Sequence, residues 1–242
     1  MNSGKCGMKL AADAAALARP NLTFSVVAMD RSGSMKMFGK APKDALNGLV
    51  SRLKAGPTAP NIWGAIYAFA DEERPTEVVA LQPVSHMPVI DKLNPDGGTR
   101  LYGSVLLIMQ DLMRVYAEAK AMDVKPNIIF TVCTDGGDTC SKDKQPELMR
   151  LSGQALEMGW DLCVFGFGVD AHCIAENMGF PPDATHAVTL EPRAESVQAS
   201  MRSVTHRTET TSMGMNWQQS PPNRKPVTVS VKEDTQPPST PR

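Results

Sequence analysis

The 242-residue chain is predicted to fold as a doubly wound α/β domain, with a mostly parallel central sheet, one antiparallel edge strand and helices on both faces. Three observations predict it. Residues 26–29 (VVAM) and 127–135 (NIIFTVCTD) open as short apolar runs rich in β-branched residues, which suits strands covered on both faces. Residues 41–53 and 101–120 carry apolar positions at helical spacing, which supplies the covering layers. Both strand-like runs end in an acid, Asp30 and Asp135, at the carboxyl end where open α/β sheets bind ligands.

The elements follow in chain order. In residues 1–20, Lys5 and Lys9 precede an alanine-rich run that imitates a signal peptide, but Asp13 interrupts it and no apolar run of about seven residues follows. A short leading helix is expected there. Leu46, Leu49, Val50 and Leu53 form the apolar face of the first covering helix, with Pro42 near its start and Gly56 and Pro57 beyond its end. Residues 62–69 and 77–81 read as two strands joined by the charged turn 71–75, an antiparallel pair at one edge. Residues 101–120 form the longest periodic segment, with Leu101, Val105, Ile108, Leu112 and Val115 on one side. Its amino end is expected to face the rim that carries the two acids, where the helix dipole favours an incoming carboxylate.

Residues 136–144 form a polar loop at that rim, with Asp138, Thr139, Ser141 and Asp143 as candidates for specificity. Pro146 begins a helix that Gly159 closes, and residues 160–168 form another buried strand. Gly166-x-Gly168-x-x-Ala171 superficially matches a dinucleotide fingerprint. A dinucleotide-binding unit carries that fingerprint at its first strand-to-helix turn, so these glycines read instead as a tight turn before an Asp170-capped helix that ends near Gly179. Residues 184–190 supply the last strand and residues 193–206 the last helix. Residues 208–242, with six prolines at positions 221, 222, 226, 237, 238 and 241, read as a disordered tail. The run 227–231 inside it could add as a strand to a partner.

The chemistry concentrates in Asp30-x-Ser32-x-Ser34. A carboxylate and two hydroxyls on one tight loop can supply part of the roughly six-oxygen shell that Mg2+ requires. The same residues can equally form a turn and cap a helix. Asp135 lies in TDGG, and the turn Asp96-Gly-Gly-Thr99 places Thr99 before the long helix, where an N-cap is the plain alternative.

Taken in order and spacing, Asp30, Ser32, Ser34, Thr99 and Asp135 resemble the metal-ion-dependent adhesion site (MIDAS) of von Willebrand factor A (vWA) domains, of the bacterial cytoplasmic type. The resemblance implies a Rossmann-like vWA domain over residues 21–207, between an N-terminal extension at 1–20 and the tail at 208–242. It implies that Ser32, Ser34 and Thr99 give hydroxyl ligands, while Asp30 and Asp135 act directly or through water. Mg2+ is the expected metal, with Mn2+ or Ca2+ as alternatives. Two carboxylates roughly offset a divalent charge, so the metal stays electrophilic toward one more anionic oxygen, in this family an Asp or Glu of a protein partner. Cytoplasmic relatives work beside AAA+ ATPases of the MoxR or chelatase type, or in stress-resistance systems. The resemblance therefore implies a protein-binding module rather than an enzyme.

Composition narrows the alternatives. A formal charge of -1 gives no general attraction to nucleic acid or to an anionic membrane, and no stretch approaches the ~20 apolar residues of a membrane span. Five cysteines without a C-x-x-C pair point to a reducing, cytoplasmic setting. No G-x-S-x-G surrounds Ser32 or Ser34, and the four histidines are isolated in sequence. Cys133 is followed by TDGGDT, whose acids would repel a phosphate, so a thiolate phosphatase does not fit. Two readings stand beside the binding module: a metal-dependent phosphatase or phosphotransferase with Asp30 as nucleophile, and a vWA scaffold whose metal is purely structural.

Overall fold

The computed structural model describes residue 8 and residues 17–216. Six strands form one sheet: β1 (Thr23–Asp30), β2 (Ile62–Phe69), β3 (Thr76–Pro83), β4 (Asn127–Thr134), β5 (Asp161–Phe167) and β6 (Ala187–Leu190). Their spatial order is β3-β2-β1-β4-β5-β6. All neighbours run parallel except β2 and β3. Every residue of β1 and β2 is buried, as their largely apolar sequences favour, whereas β3 mixes buried, partly buried and exposed positions, as befits an edge. The predicted fold class is the observed one.

Among the described residues five helices cover the sheet: α1 (Ala41–Ala55), α2 (Leu101–Ala121), α3 (Gln145–Glu157), α4 (Ala171–Met178) and α5 (Ala194–Ser212). Side chains alternate across each strand, so the core divides in two. Phe24, Val26 and Ala28 of β1 join Phe130 and Val132 of β4 against α2, α3 and α4. Val27 and Met29 face the other way, with Ile66 and Phe165, against α1 and α5. Full burial of each such side chain stabilises by about 1.5–3 kcal/mol, which makes these two layers the main source of stability. Asp170 caps α4 by accepting from the backbone N–H groups of His172 and Cys173, and Gly179 ends it at φ 71°.

The short N-terminal helix and the strand-like run 227–231 lie outside the described residues. The last helix, however, runs to Ser212, so residues 208–212 belong to the fold and not to the tail that was expected to begin there. Threonine-rich sequence is a poor helix former, but tertiary contacts decide here. Thr208 Oγ1 lies 2.9 Å from Ser25 Oγ on β1. Arg207, 3% exposed, reaches Asp161 at the amino end of β5 with Nη1 at 2.6 Å. The same Nη1 lies 2.8 Å from Cys163 Sγ, and Nη2 donates to the Thr185 carbonyl at 2.5 Å. This buried cluster fastens the C-terminal half of α5 to the end of the sheet opposite the two rim acids.

Candidate metal centre

The strand order reverses direction between β1 and β4: chain connections leave β1 toward β2 on one side and β4 toward β5 on the other. Loops beyond the carboxyl ends of two such strands diverge and leave a crevice. Asp30 is the last residue of β1, and Asp135 follows β4 directly, with Met29 paired to Cys133 in register. The two acids therefore flank the crevice.

Asp30 is fully buried. Its Oδ1 accepts from the Ser32 N–H at 2.7 Å and its Oδ2 from Thr134 Oγ1 at 2.6 Å. Ser32 is buried, Ser34 is exposed, and their Oγ atoms are 3.1 Å apart. Ser34 Oγ donates to Asp135 Oδ1 at 2.8 Å. Thr99 comes in from the third side, buried, with its Oγ1 close to Gly136: a Cβ added there would lie 3.9 Å from it. All five predicted residues are brought to one rim, and the side facing solvent is the one lined by Ser34 and Asp135.

Glycines make this convergence possible. The Gly33 N–H donates to the Gly97 carbonyl at 2.9 Å, which ties the serine loop to the loop that carries Thr99. Gly97 sits at φ 72°, and a Cβ there would collide with the Asp71 carboxylate.

Electrostatics leave the two carboxylates short of positive charge. Burial pushes Asp30 up to about 6, against hydrogen bonds from Thr134 and Ser32, with Asp135 adding a smaller upward push. Burial also raises Asp135, which the Ser34 hydroxyl partly counters. Arg31, between Asp30 and Ser32 in sequence, turns away to pair with Glu72. Neither Asp30 nor Asp135 forms an ion pair among the described residues. The donor set fits a hard divalent cation. Adjacent ligands of an octahedral shell with bonds of about 2.0–2.1 Å stand about 2.9 Å apart, and the Ser32–Ser34 and Ser34–Asp135 oxygen separations of 3.1 and 2.8 Å bracket that edge. Among the described residues, no group of three or more His, Cys, Asp or Glu side chains is arranged to hold a metal. This set differs in kind, with two carboxylates and three hydroxyls.

The plain alternative for Thr99 falls away, and one expectation needs correction. Thr99 does not cap α2: its N–H donates to Thr139 Oγ1 at 3.0 Å, its carbonyl accepts from the Thr139 N–H at 2.8 Å, and the cap position falls to Arg100. Nor does the amino end of α2 wait for an incoming anion. Asp138 Oδ1 already accepts from the Tyr102 N–H at 3.1 Å, and Ser141 Oγ from the Gly103 N–H at 2.9 Å. Asp138 and Ser141, expected to carry specificity, turn inward to hold the start of α2, while Thr139, exposed, holds Thr99 just before it. Their offset from that helix is not visible in sequence, because the capping side chains come from more than thirty residues away. Thr134 was also missed, although a hydroxyl directly before the TDGG acid is a readable signal. Gly166 does serve the tight turn, since a Cβ there would meet the Val169 carbonyl at 2.8 Å.

No protein-family model matches the chain, and no curated protein matches it. Solved structures do. The vWF domain of the type V pili tip protein Mfa5 from Porphyromonas gingivalis aligns over 81% of this chain and 97% of its own, at TM-score 0.53 and 10% identity. Manganese-loaded Plasmodium vivax TRAP protein aligns over 78% of this chain and 75% of its own, at TM-score 0.51 and 15% identity. Proximal thread matrix protein 1 from the mussel byssus, with a zinc-occupied MIDAS motif, aligns over 77% of this chain at TM-score 0.51 and 18% identity; the chain spans 46% of that protein. At these identities the likeness is one of architecture: the chain has the von Willebrand factor A fold.

Proposed function

We propose that the chain is a metal-dependent protein-binding module, which holds Mg2+ through Asp30, Ser32, Ser34, Thr99 and Asp135 and engages an Asp or Glu of a protein partner. One observation carries the reading: two carboxylates converge with three hydroxyls at the switch point of the sheet, and among the described residues no cation answers them. Asp30 and Asp135 balance a divalent charge. The hydroxyls add ligand atoms without adding charge. A divalent cation held there supplies an electrophilic position for one further anionic oxygen. Ser34 and Asp135 leave that position on the solvent side, while Thr134 and the Ser32 N–H fix Asp30 from behind. Proteins of this fold solved with manganese, or with zinc in a MIDAS motif, support a divalent ion at this rim. The all-oxygen donor set favours Mg2+ over Zn2+ here.

The phosphatase alternative is disfavoured because Asp30 is fully buried behind the exposed Ser34, so it does not present itself to an incoming phosphoryl group, whereas a metal at the rim reaches it directly or through water. A cytoplasmic setting, with an AAA+ ATPase of the MoxR or chelatase type as partner, belongs to the same proposal. The free thiols of Cys133, Cys140, Cys163 and Cys173 suit a reducing compartment. Among the described residues no helix is long and apolar enough to cross a membrane.

The test pairs calorimetric titration of MgCl2 into wild type and Ser34→Ala with affinity capture from host lysate in Mg2+ and in EDTA. Metal binding that the variant weakens, together with a partner retained only in Mg2+, is the expected outcome. Metal binding with no metal-dependent partner would reduce the ion to a structural brace, and no metal binding would remove the reading altogether.

A further inference from the structure

The sheet has two edges, and they are finished differently. β6 is four residues long, and Thr189 Oγ1 ties it to α4 by accepting from the Ala171 N–H at 3.0 Å. β3 is twice that length, and its Thr76, Glu77 and Ala80 are exposed. Among the described residues, no backbone bond outside its ladder with β2 involves residues 76–83. The Ala80 carbonyl, inside a register shift of that ladder, accepts from the Gln82 side chain at 3.2 Å. An edge strand turns alternate N–H and C=O groups away from its neighbour, which makes it a template for one more strand.

The chain itself supplies a matching segment. Residues 227–231, Val-Thr-Val-Ser-Val, alternate apolar and hydroxyl side chains, the pattern of a strand covered on one face. The place from which this segment is reached is fixed by α5. That helix ends at the amino end of the sheet, where a Cβ on Gly214 would meet Asn21 Nδ2 at 2.7 Å, two residues before β1. From β1 to a position outside β3 is three strand spacings, about 14 Å, and the ten residues 217–226 span up to about 33 Å. A strand that begins at that end of the sheet runs antiparallel to β3.

Handedness selects this edge over the other. α1 and α5 pack on the same face of the sheet. The connection β1–α1–β2 moves toward β3 across that face, and crossovers between parallel strands are right-handed. From β6 through α5 the same hand leads toward β3, whereas a strand added outside β6 would require the opposite hand. Charge agrees. Lys232 follows the run at the end where β3 begins, and there the exposed Glu77 accepts from Tyr67 Oη at 3.1 Å but meets no cation among the described residues. Two register shifts and Pro83 blunt β3 against a long strand from another molecule. A short segment of the same chain overcomes that, because its effective concentration is on the order of millimolar.

We propose that residues 227–231 close the β3 edge as a seventh strand, antiparallel to β3 and supplied by the same chain. The proposal is independent of the metal reading above.

The experiment is amide hydrogen exchange, read by NMR, on the full chain as wild type, Thr228→Pro and Val229→Pro, at two protein concentrations about tenfold apart. Successive residues of a strand turn their N–H groups to opposite sides, so one of the two prolines removes a bond to β3. In the wild type the amides of 227–231 and those of β3 that turn away from β2 should exchange at least about tenfold more slowly than in that variant. Lys232→Glu should reduce the same protection. The β1 and β2 amides report the integrity of the fold and should not change, since the substitutions lie outside it. Wild-type rates at 227–231 that neither proline alters overturn the proposal. Protection that rises with protein concentration also overturns it, by assigning the strand to a second copy. So does protection that appears at the Thr189 N–H instead of on β3, which would put the strand outside β6.

Discussion

Metal-free Asp30→Asn protein should be more stable than the wild type near neutral pH, and the advantage should disappear in mild acid. Burial holds the Asp30 carboxyl at about 6, against 3.8 in the unfolded chain, with the Thr134 and Ser32 hydrogen bonds and then Asp135 as lesser influences. A raised value means that the native state holds the proton more tightly than the unfolded state. Stability is therefore present at low pH and falls as pH rises from about 4 through about 6. About 2 pKa units at about 1.36 kcal/mol each give a loss of about 3 kcal/mol above that window. Asparagine avoids the loss while keeping the contacts: its carbonyl accepts from the Ser32 N–H, and its amide donates to Thr134 Oγ1, whose proton turns to the Gly136 carbonyl 2.8 Å away. Urea titrations in EDTA across this window, followed by the fluorescence of buried Trp63 and Trp160, read the difference between the two proteins. Parallel pH profiles for wild type and variant would refute the reasoning. Saturating Mg2+ near neutral pH should reverse the order, because ionised Asp30 then gains a counter-charge that asparagine cannot use.

Three further outcomes are expected. Ser34→Ala removes one proposed ligand and the donor to Asp135, and should weaken Mg2+ binding about tenfold or more in calorimetry with little effect on the metal-free urea midpoint, since Ser34 is exposed. Arg207→Met leaves the partly exposed Asp161 without its guanidinium and should destabilise by about 1.5–3 kcal/mol in urea, whereas the Arg207→Met, Asp161→Asn pair should recover part of that loss. Asp138→Ala frees the Tyr102 N–H and the Ser141 N–H and should cost about 1–2 kcal/mol, with faster amide exchange confined to the first turn of α2.

The sheet and its covering helices were legible because their signals are local. Unbroken apolar runs gave β1, β2 and β4, and the Pro and Gly punctuation bounded α1, α3 and α4 to within a few residues. The antiparallel edge followed from the charged turn at 71–75. The five rim residues were legible as a set because each sits at a strand end or a glycine turn, positions that a doubly wound topology brings together. What sequence did not reveal depends on contacts between distant segments. The extension of α5 past residue 207 is decided by the bonds of Arg207 to Asp161 and of Thr208 to Ser25, not by helix propensity. The inward role of Asp138 and Ser141 depends on where α2 begins in space.

The bond from Thr134 to Asp30 joins positions 104 residues apart, and that from Ser34 to Asp135 spans 101. The rim is complete only once β1 and β4 have paired, a long-range contact whose loop closure carries an entropic cost. An ion cannot act as a nucleus for such a fold, and the isolated serine loop is no binding site. A divalent ion bound as proposed would act only on the finished structure: by bridging the joint between the two halves of the sheet it would lengthen the lifetime of the native state while leaving the speed of reaching it unchanged.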